Sequence, residues 1–316
     1  MGHFISCDWG TSSFRLRLMD AASKQIIATV NSLEGIAATY SLWKNAPSTD
    51  RIPFYTAVIL RHIELLEKQT GQSLENLTVI ISGMASASIG MIDLPYQPVP
   101  YQPDKNDLVL KIISPVDSFE HTIVLVSGLC TANDVMRGEE TILAGCDIKK
   151  LPGEQLLIFP GTHSKHVVVE NGIVKDFKTY MTGELFDLLA NKSILAASVQ
   201  ANEFQSKIAF ANGVGAALSN NILNNIFHVR TNQLFSKLTK QENYLYLSGL
   251  LLGEELKNCL NKSYKAITIV SSGPMATLYI EAITTIGLNI PCNLQSDDEA
   301  LVNGQAIIYQ QFQSIK

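Results

Sequence analysis

Asp8, Gly10, Thr11, Ser12 and Ser13 stand together near the start of the chain, and they are residue types that can hold a phosphate. They follow the apolar run Ile5-Ser6-Cys7 and lead into Phe14-Arg15-Leu16-Arg17-Leu18, which alternates like a second strand. A hairpin turn of this composition offers backbone N–H groups and hydroxyls, and Gly allows an anion close to the chain. Such residues also populate hairpin bends for turn reasons alone. What favours the anion is recurrence. Gln155-Leu156-Leu157-Ile158-Phe159 leads to Pro160-Gly161-Thr162-His163-Ser164-Lys165, and Gly10-Thr11 falls on Gly161-Thr162, with Ser13 on Ser164. Each copy continues with an alternating strand, a turn and a further strand; in the second the turn is Asn171-Gly172, a strong hairpin signal. A repeat about 150 residues long implies two similar domains, with a polyphosphate in the cleft between them.

The elements that must position these loops follow from periodicity. Ile26-Ile27-Ala28-Thr29-Val30 extends the first meander, and Leu77-Thr78-Val79-Ile80-Ile81 and Thr122-Ile123-Val124-Leu125-Val126 read as buried strands. Ile52, Tyr55, Ile59, His62, Ile63 and Leu66 recur at helical spacing over 51–69, with Gly71 as the C-terminal stop. Four prolines between Pro95 and Pro103 make that stretch extended or looped. Asp134 precedes a predicted helix over 135–144. The stretch Asp147 to Glu154 reads as a junction, dividing the chain into 1–150 and 151–316. Beyond it, helices are expected over 182–190 and 244–260, with Asn-rich connections containing Asn220, Asn221, Asn224 and Asn225. Gly249 and Gly253 share a face of the second of these helices, which suits either tight helix packing or a close approach to a nucleotide. Ala266 to Val270 is a strand ending at Ser271-Ser272-Gly273-Pro274, followed by a helix over 275–286, a turn suited to adenosine. A strand over 290–294 and a helix over 298–313 end the sequence.

Composition narrows the class. The 316 residues suit two domains, with 46% hydrophobic and 17% charged residues. A net charge of −5 argues against a nucleic-acid surface. No apolar run is long enough for a membrane span, and Asp8 and Arg15 interrupt the start too early for a signal peptide. Five dispersed cysteines point to reduced thiols in the cytoplasm. Oligomeric state, a homodimer included, is left open.

The stretches DWGTSSFRLRL (8–18), SGLCTANDVMRGEET (127–141), PGTHSKHV (160–167), MTGELFDLL (181–189) and LSGLLLGEEL (247–256) resemble the 2-dehydro-3-deoxygalactonokinases, a branch of the actin-like ATPase and sugar kinase superfamily. The resemblance implies two ribonuclease-H-like α/β domains, each with a mixed five-stranded sheet, and ATP in the cleft. It implies ATP- and Mg²⁺-dependent phosphorylation of 2-dehydro-3-deoxy-D-galactonate to its 6-phosphate, in galactonate catabolism. Two stretches depart from the family pattern: 83–91, where a Gly-Ser-Asn-type loop is usual, and Ser272-Gly273-Pro274, where a Gly-Ser-Ser type run is usual. The first leaves a kinase for another sugar acid, such as 2-dehydro-3-deoxygluconate, as a competing reading. A non-enzymatic nucleotide-gated module is the more distant one.

On this resemblance Asp8 serves Mg²⁺ through water, since Mg²⁺ keeps much of its hydration. Gly10, Thr11 and Ser12 form the first phosphate contact, and Gly161, Thr162 and Lys165 the second. Gly249, Gly253, Ser272 and Gly273 are expected at the nucleotide, and Gly83, Met84 and Ser86 at the sugar acid. Asp134 is the candidate general base, with Glu139 and Glu140 as rivals and an N-cap as its competing use. Arg137 is expected at the substrate carboxylate or the moving phosphoryl group, against a surface helix arginine. Arg15 leads towards the sugar acid; on alternation alone it could equally be solvated, as Arg17 is expected to be. Glu184 and Glu254 shape the cleft or are solvated capping residues.

Overall fold

The computed structural model describes residues 2–46, 50–105, 107–149, 151–201, 206–219 and 221–315. Lys150, at the expected domain boundary, and Asn220 lie outside the described residues. The chain forms two compact units. The first runs to Lys149 and takes in Gly172–Val174 and everything from Asp298 onward; the second holds the chain up to Asn171 and Lys175–Asp297.

The first unit contains β1 (His3–Trp9), β2 (Phe14–Asp20), β3 (Ile26–Ser32), α1 (Ile36–Lys44), α2 (Arg51–Thr70), β4 (Val79–Gly83), β5 (Gln97–Pro98), β6 (Leu110–Ile113), β7 (Ile123–Val126), β8 (Leu129–Cys130), β9 (Val135–Met136) and α3 (Glu139–Ala144). Its main sheet has the order β3-β2-β1-β4-β7-β6. The meander β1-β2-β3 is antiparallel, β4 and β7 add in parallel to β1, and β6 returns antiparallel to β7. The expected mixed sheet is therefore present with β6 as a sixth strand. The short strands β5, β8 and β9 form a small separate sheet.

Strand β4 and strand β7 are wholly buried, as their unbroken apolar runs require when both faces are covered. Tyr55, Ile59, Ile63 and Leu66 on α2 pack with Trp9, Phe14, Leu16 and Ile81 into one core cluster. Full burial of each such side chain contributes roughly 1.5–3 kcal/mol. Alternation misleads at β2: Arg17 is 4% exposed, which corrects its expected solvated position. Every residue of β2 is buried or half-buried, so the strand has no polar outer side.

The second unit repeats the plan with β10 (Glu154–Phe159), β11 (Ser164–Glu170), β12 (Ile173–Tyr180), α4 (Thr182–Lys192), α5 (Lys207–Ser219), α6 (Ile222–Leu234), α7 (Lys240–Leu256), β13 (Ile267–Val270), α8 (Pro274–Ile286) and β14 (Cys292–Gln295). The sheet order β12-β11-β10-β13-β14 matches the first five strands of the other sheet one for one. The β11–β12 turn puts Asn171 at φ 53° and Gly172 at φ 78°, as an Asn-Gly hairpin requires. The helix α9 (Asp297–Ile315) closes the chain.

The Asn-rich stretch read as a connection is helical from Ile222 onward. Asn221 caps α6 by accepting the Leu223 N–H, and Asn225 is buried with its amide on the Ala216 carbonyl. Helix α7 begins earlier than periodicity suggests, at a capping box formed by Thr239 and Glu242.

Candidate active site

The first loop, residues 10–13, joins β1 to β2. Its Gly10 N–H donates to the Ser13 carbonyl at 2.9 Å, closing the turn. The start of α1 is pressed against it. Ile36 N–H and Ala37 N–H donate to the carbonyls of Gly10 and Thr11 at 2.9 and 3.0 Å. Gly35 makes this possible, because a Cβ there would lie 2.4 Å from the Thr11 oxygen. With two loop carbonyls tied back, Thr11, Ser12 and Ser13 stand exposed.

Asp8 is half-buried one strand position inside this loop. It lies opposite Arg15 on β2 and beside Ser82 on β4. Burial pushes the Asp8 carboxyl above its usual range, and the nearby Arg15 and Arg17 draw it back. Both guanidinium groups donate to Asp298 Oδ1 from α9, Arg15 at 3.0 Å and Arg17 more closely. Two acids and two arginines thus share one face at the loop's root. Arg15 remains partly exposed, as a substrate contact would require, with 41% of its side chain accessible.

The helix predicted over 135–144 begins at Glu139. Val135 and Met136 instead pair with Cys130 and Leu129 as a strand. Gly138, at φ 110°, separates strand from helix. Asp134 therefore sits in a hairpin turn, half-buried, and is no helix cap. Its Oδ1 accepts the Val135 N–H at 2.8 Å.

Arg137 is anchored internally, half-buried between β9 and α3, and is not the surface helix arginine of the competing reading. Its Nη1 donates to the Ser86 carbonyl and, at 2.6 Å, to Ser86 Oγ. Its Nη2 donates to the Leu94 carbonyl at 3.0 Å, and the guanidinium lies 4.1 Å from the Tyr96 ring centre. Its Nε is buried and has no hydrogen-bond partner among the described residues. Ser86 is fully buried, so the expected sugar contact through its hydroxyl is also corrected. Gly83 is buried, and a Cβ there would meet the Trp9 carbonyl at 2.6 Å; Met84 is half-buried. Arg137 pins the 84–94 loop to the β8–β9 hairpin.

The two glutamates that open α3 differ sharply. Glu139 is half-buried, and its Oε2 accepts the Arg137 N–H at 3.2 Å. Glu140 is wholly buried, accepts from Gly138 N–H at 2.5 Å and Thr141 hydroxyl at 3.0 Å, and is raised to about 8 by burial and by Glu139. A carboxyl so enclosed does not reach a substrate, which removes Glu140 as a rival base.

The second loop, residues 160–163, is built like the first. Glu184 N–H, in the first turn of α4, donates to the Thr162 carbonyl at 3.0 Å. Gly183 takes the place Gly35 has: a Cβ there would lie 2.6 Å from the Gly161 oxygen. Gly161, Thr162 and His163 are exposed, and His163 pairs with Glu184. Lys165 is buried, with its ammonium on the His163 carbonyl at 2.8 Å, so its charge sits beneath the loop. Below it lies a network that the sequence did not reveal. Glu255 is 2% exposed; its Oε1 meets His166 Nε2 and the Tyr279 hydroxyl, each at 2.8 Å, and its Oε2 accepts from Thr182. Tyr279 in turn meets Ser164 Oγ at 2.9 Å. Glu254, singled out from sequence, pairs with Lys257.

Beside this loop the second unit holds a cavity of about 220 Å³. Phe186, Tyr244, Leu251, Met275 and Leu278 give it an apolar wall, with Gly161 at its edge. Ser272 and Gly273 are exposed at the start of α8, and the Ser272 hydroxyl donates to Asp297 at 2.7 Å. Gly249 and Gly253 face elsewhere. A Cβ at Gly249 would lie 2.1 Å from the Phe210 oxygen, and one at Gly253 would lie 2.8 Å from Ala217 Cβ, both on α5. They are helix-packing glycines, which corrects their expected contact with nucleotide.

Among the described residues, no group of three or more His, Cys, Asp or Glu is arranged to hold a metal. Mg²⁺ does not need one. It is commonly held by one or two carboxylates plus waters and phosphate oxygens, and half-buried Asp8, next to an exposed hydroxyl loop, fits that pattern.

The chain is similar to known proteins over nearly its whole length. Residues 8–308 match the family described as 2-keto-3-deoxy-galactonokinase. A protein of Rhizobium meliloti (strain 1021), described as a probable 2-dehydro-3-deoxygalactonokinase, is 31% identical over 299 residues, covering 92% of this chain and 91% of the relative. The 2-dehydro-3-deoxygalactonokinase of Escherichia coli (strain K12) is 30% identical over 298 residues, covering 91% of each. A crystal structure from Sinorhizobium meliloti, described with the same activity, superposes with a TM-score of 0.81 at 30% identity, covering 98% of this chain and 96% of its own.

Proposed function

This chain belongs to the 2-keto-3-deoxy-galactonokinase family, and from that premise we propose that it transfers the terminal phosphoryl group of ATP to the 6-hydroxyl of 2-dehydro-3-deoxy-D-galactonate. The observation that carries the assignment of parts is the doubled loop. A turn of similar composition is set twice against a helix start, and the acid Asp8 at the root of the first is replaced by Phe159 in the second. The first loop serves the transferred group, and the second holds the nucleotide's phosphates.

Asp8 would hold Mg²⁺, which when bound offsets charge on the phosphoryl oxygens. Exposed Thr11 and Ser12 donate to the same oxygens, and Arg15 draws the anionic substrate. Asp134 takes the proton of the attacking hydroxyl as the new P–O bond forms and the bond to ADP breaks. Asp134 and Glu139 each accept one main-chain N–H, from Val135 and Arg137, and Asp134 is preferred for its place in the turn between β8 and β9. In the second unit Thr162 and the N–H groups at the start of α8 hold phosphates. The apolar cavity takes the base; at about 220 Å³ it suits part of a nucleotide better than the whole.

The test is a coupled assay of ADP release across a panel of sugar acids. Release that depends on 2-dehydro-3-deoxy-D-galactonate supports the reading. Preference for the gluconate epimer would reassign the substrate, and release without any sugar acid would remove the kinase reading. Asp134→Ala is expected to lower kcat by about 10²–10⁴-fold while calorimetric ATP affinity holds; near-normal turnover would take the base role from Asp134.

A further inference from the structure

Gln305 lies in the middle of α9 and is wholly buried. Its carboxamide is fully used. Nε2 donates to the Cys7 carbonyl at 3.0 Å and to Ser82 Oγ at 2.8 Å, and Oε1 accepts from Ser6 Oγ. The Cys7 carbonyl can only accept, so it fixes which end of the amide faces it. All three partners surround Asp8. Cys7 precedes it, Ser6 shares its face of β1 two residues back, and Ser82 is its neighbour across the parallel pair. Seven residues earlier on the same helix, and so on a similar face, Asp298 holds Arg15 and Arg17. Asp8 is thus backed behind by Ser6, on one side by Ser82 and on the other by Arg15. The direction left open is towards the loop at 10–13.

We propose that Gln305 is a positioning residue that aims the Asp8 carboxylate at the first phosphate loop. It touches no reacting atom. It fixes the main chain one residue before Asp8 and the side chain beside it, and a small rotation there would move the carboxylate off the oxygens it must meet. The inference rests on the reading of Asp8 as the Mg²⁺ residue.

Gln305→Leu keeps the bulk and removes all three bonds. In the full-length enzyme the apparent Mg²⁺ constant at saturating ATP should rise about tenfold, while KM for the sugar acid stays within about twofold. By calorimetry, ATP in EDTA should bind within about twofold of wild type, while ATP with Mg²⁺ binds about tenfold more weakly. Ser82→Ala, which removes one bond and little volume, should shift the same constants about threefold in the same direction, and it decides the matter if Gln305→Leu does not fold. A folded variant with the wild-type Mg²⁺ response overturns the proposal. So does one that loses sugar acid, metal-free ATP and Mg²⁺ alike, because that is general damage. Asp8→Asn is the reference. If it leaves the Mg²⁺ response intact, the reading of Asp8 fails and the inference with it. If it abolishes that response while Gln305→Leu and Ser82→Ala keep it, the inference alone fails.

Discussion

The two hairpin loops are one design braced in two ways. Both lean on a helix start through a glycine, Gly35 for the first and Gly183 for the second. Both present exposed hydroxyl residues. Beneath the first, the support is a neutral amide, Gln305, with the arginine–aspartate cluster beside it. Beneath the second, it is a buried acid, Glu255, gripped by His166, Tyr279 and Thr182. An amide fixes direction without adding a charge near Asp8. A buried acid ties several elements together but depends on all its partners being present. The loop with an acid of its own has the neutral brace.

This contrast can be broken at several points. The largest effect is expected at Asp8. Asp8→Asn should lower kcat by about 10³-fold, while Thr162→Val in the other loop raises KM for ATP about tenfold and leaves kcat within a few-fold; steady-state kinetics on both variants checks it. Equal losses of kcat would end the division of labour. Next is the second brace. Glu255→Leu strands His166 and Tyr279 and should cost about 3–5 kcal/mol in urea unfolding, against about 1–3 kcal/mol for Gln305→Leu. Equal costs would show that the braces do not differ in kind.

A narrower test fills the cavity. Leu251→Trp should raise KM for ATP about tenfold with KM for the sugar acid unchanged, because only the base site is narrowed. The smallest effect concerns pH. Glu140 is raised in the folded protein to about 8, from a model-peptide value near 4.5. The folded state therefore binds more protons between those values, and stability falls as pH rises through that window. Wild type should be less stable at pH 8 than at pH 5, and Glu140→Gln should flatten that part of the profile. Denaturant melts at both pH values would settle it.

The repeated loops were legible because turn chemistry is local: Gly, Thr and Ser between two alternating runs leave few other structures. The supports were not legible, because they come from far along the chain. Nothing near Asp8 in sequence announces Gln305 or Asp298. Alternation failed at Arg17 because it assumes one solvated face, and β2 has none. At Asp134 a good capping residue suggested a helix, but Val135 and Met136 had a strand partner in Leu129 and Cys130, and pairing outweighed the cap. Helix α6 was obscured by asparagines, which favour turns until one caps the helix and another is buried against a carbonyl. Arg137 was picked out for its substrate chemistry, but the loop it anchors was not legible. Its own loop, 84–94, takes donors of both Nη atoms.

The last helix has a consequence for how the protein is made. Residues 3–20 form the first hairpin and are synthesised long before Asp298 and Gln305. Few contacts in a chain span a longer sequence separation, and such contacts form late. A growing chain therefore displays both loops, and even the whole second unit, while the acid of the first still lacks its backing. A chain cut short before residue 298 would bear Asp8 without Asp298 and Gln305, the partners that the last helix brings to its strand and its neighbours.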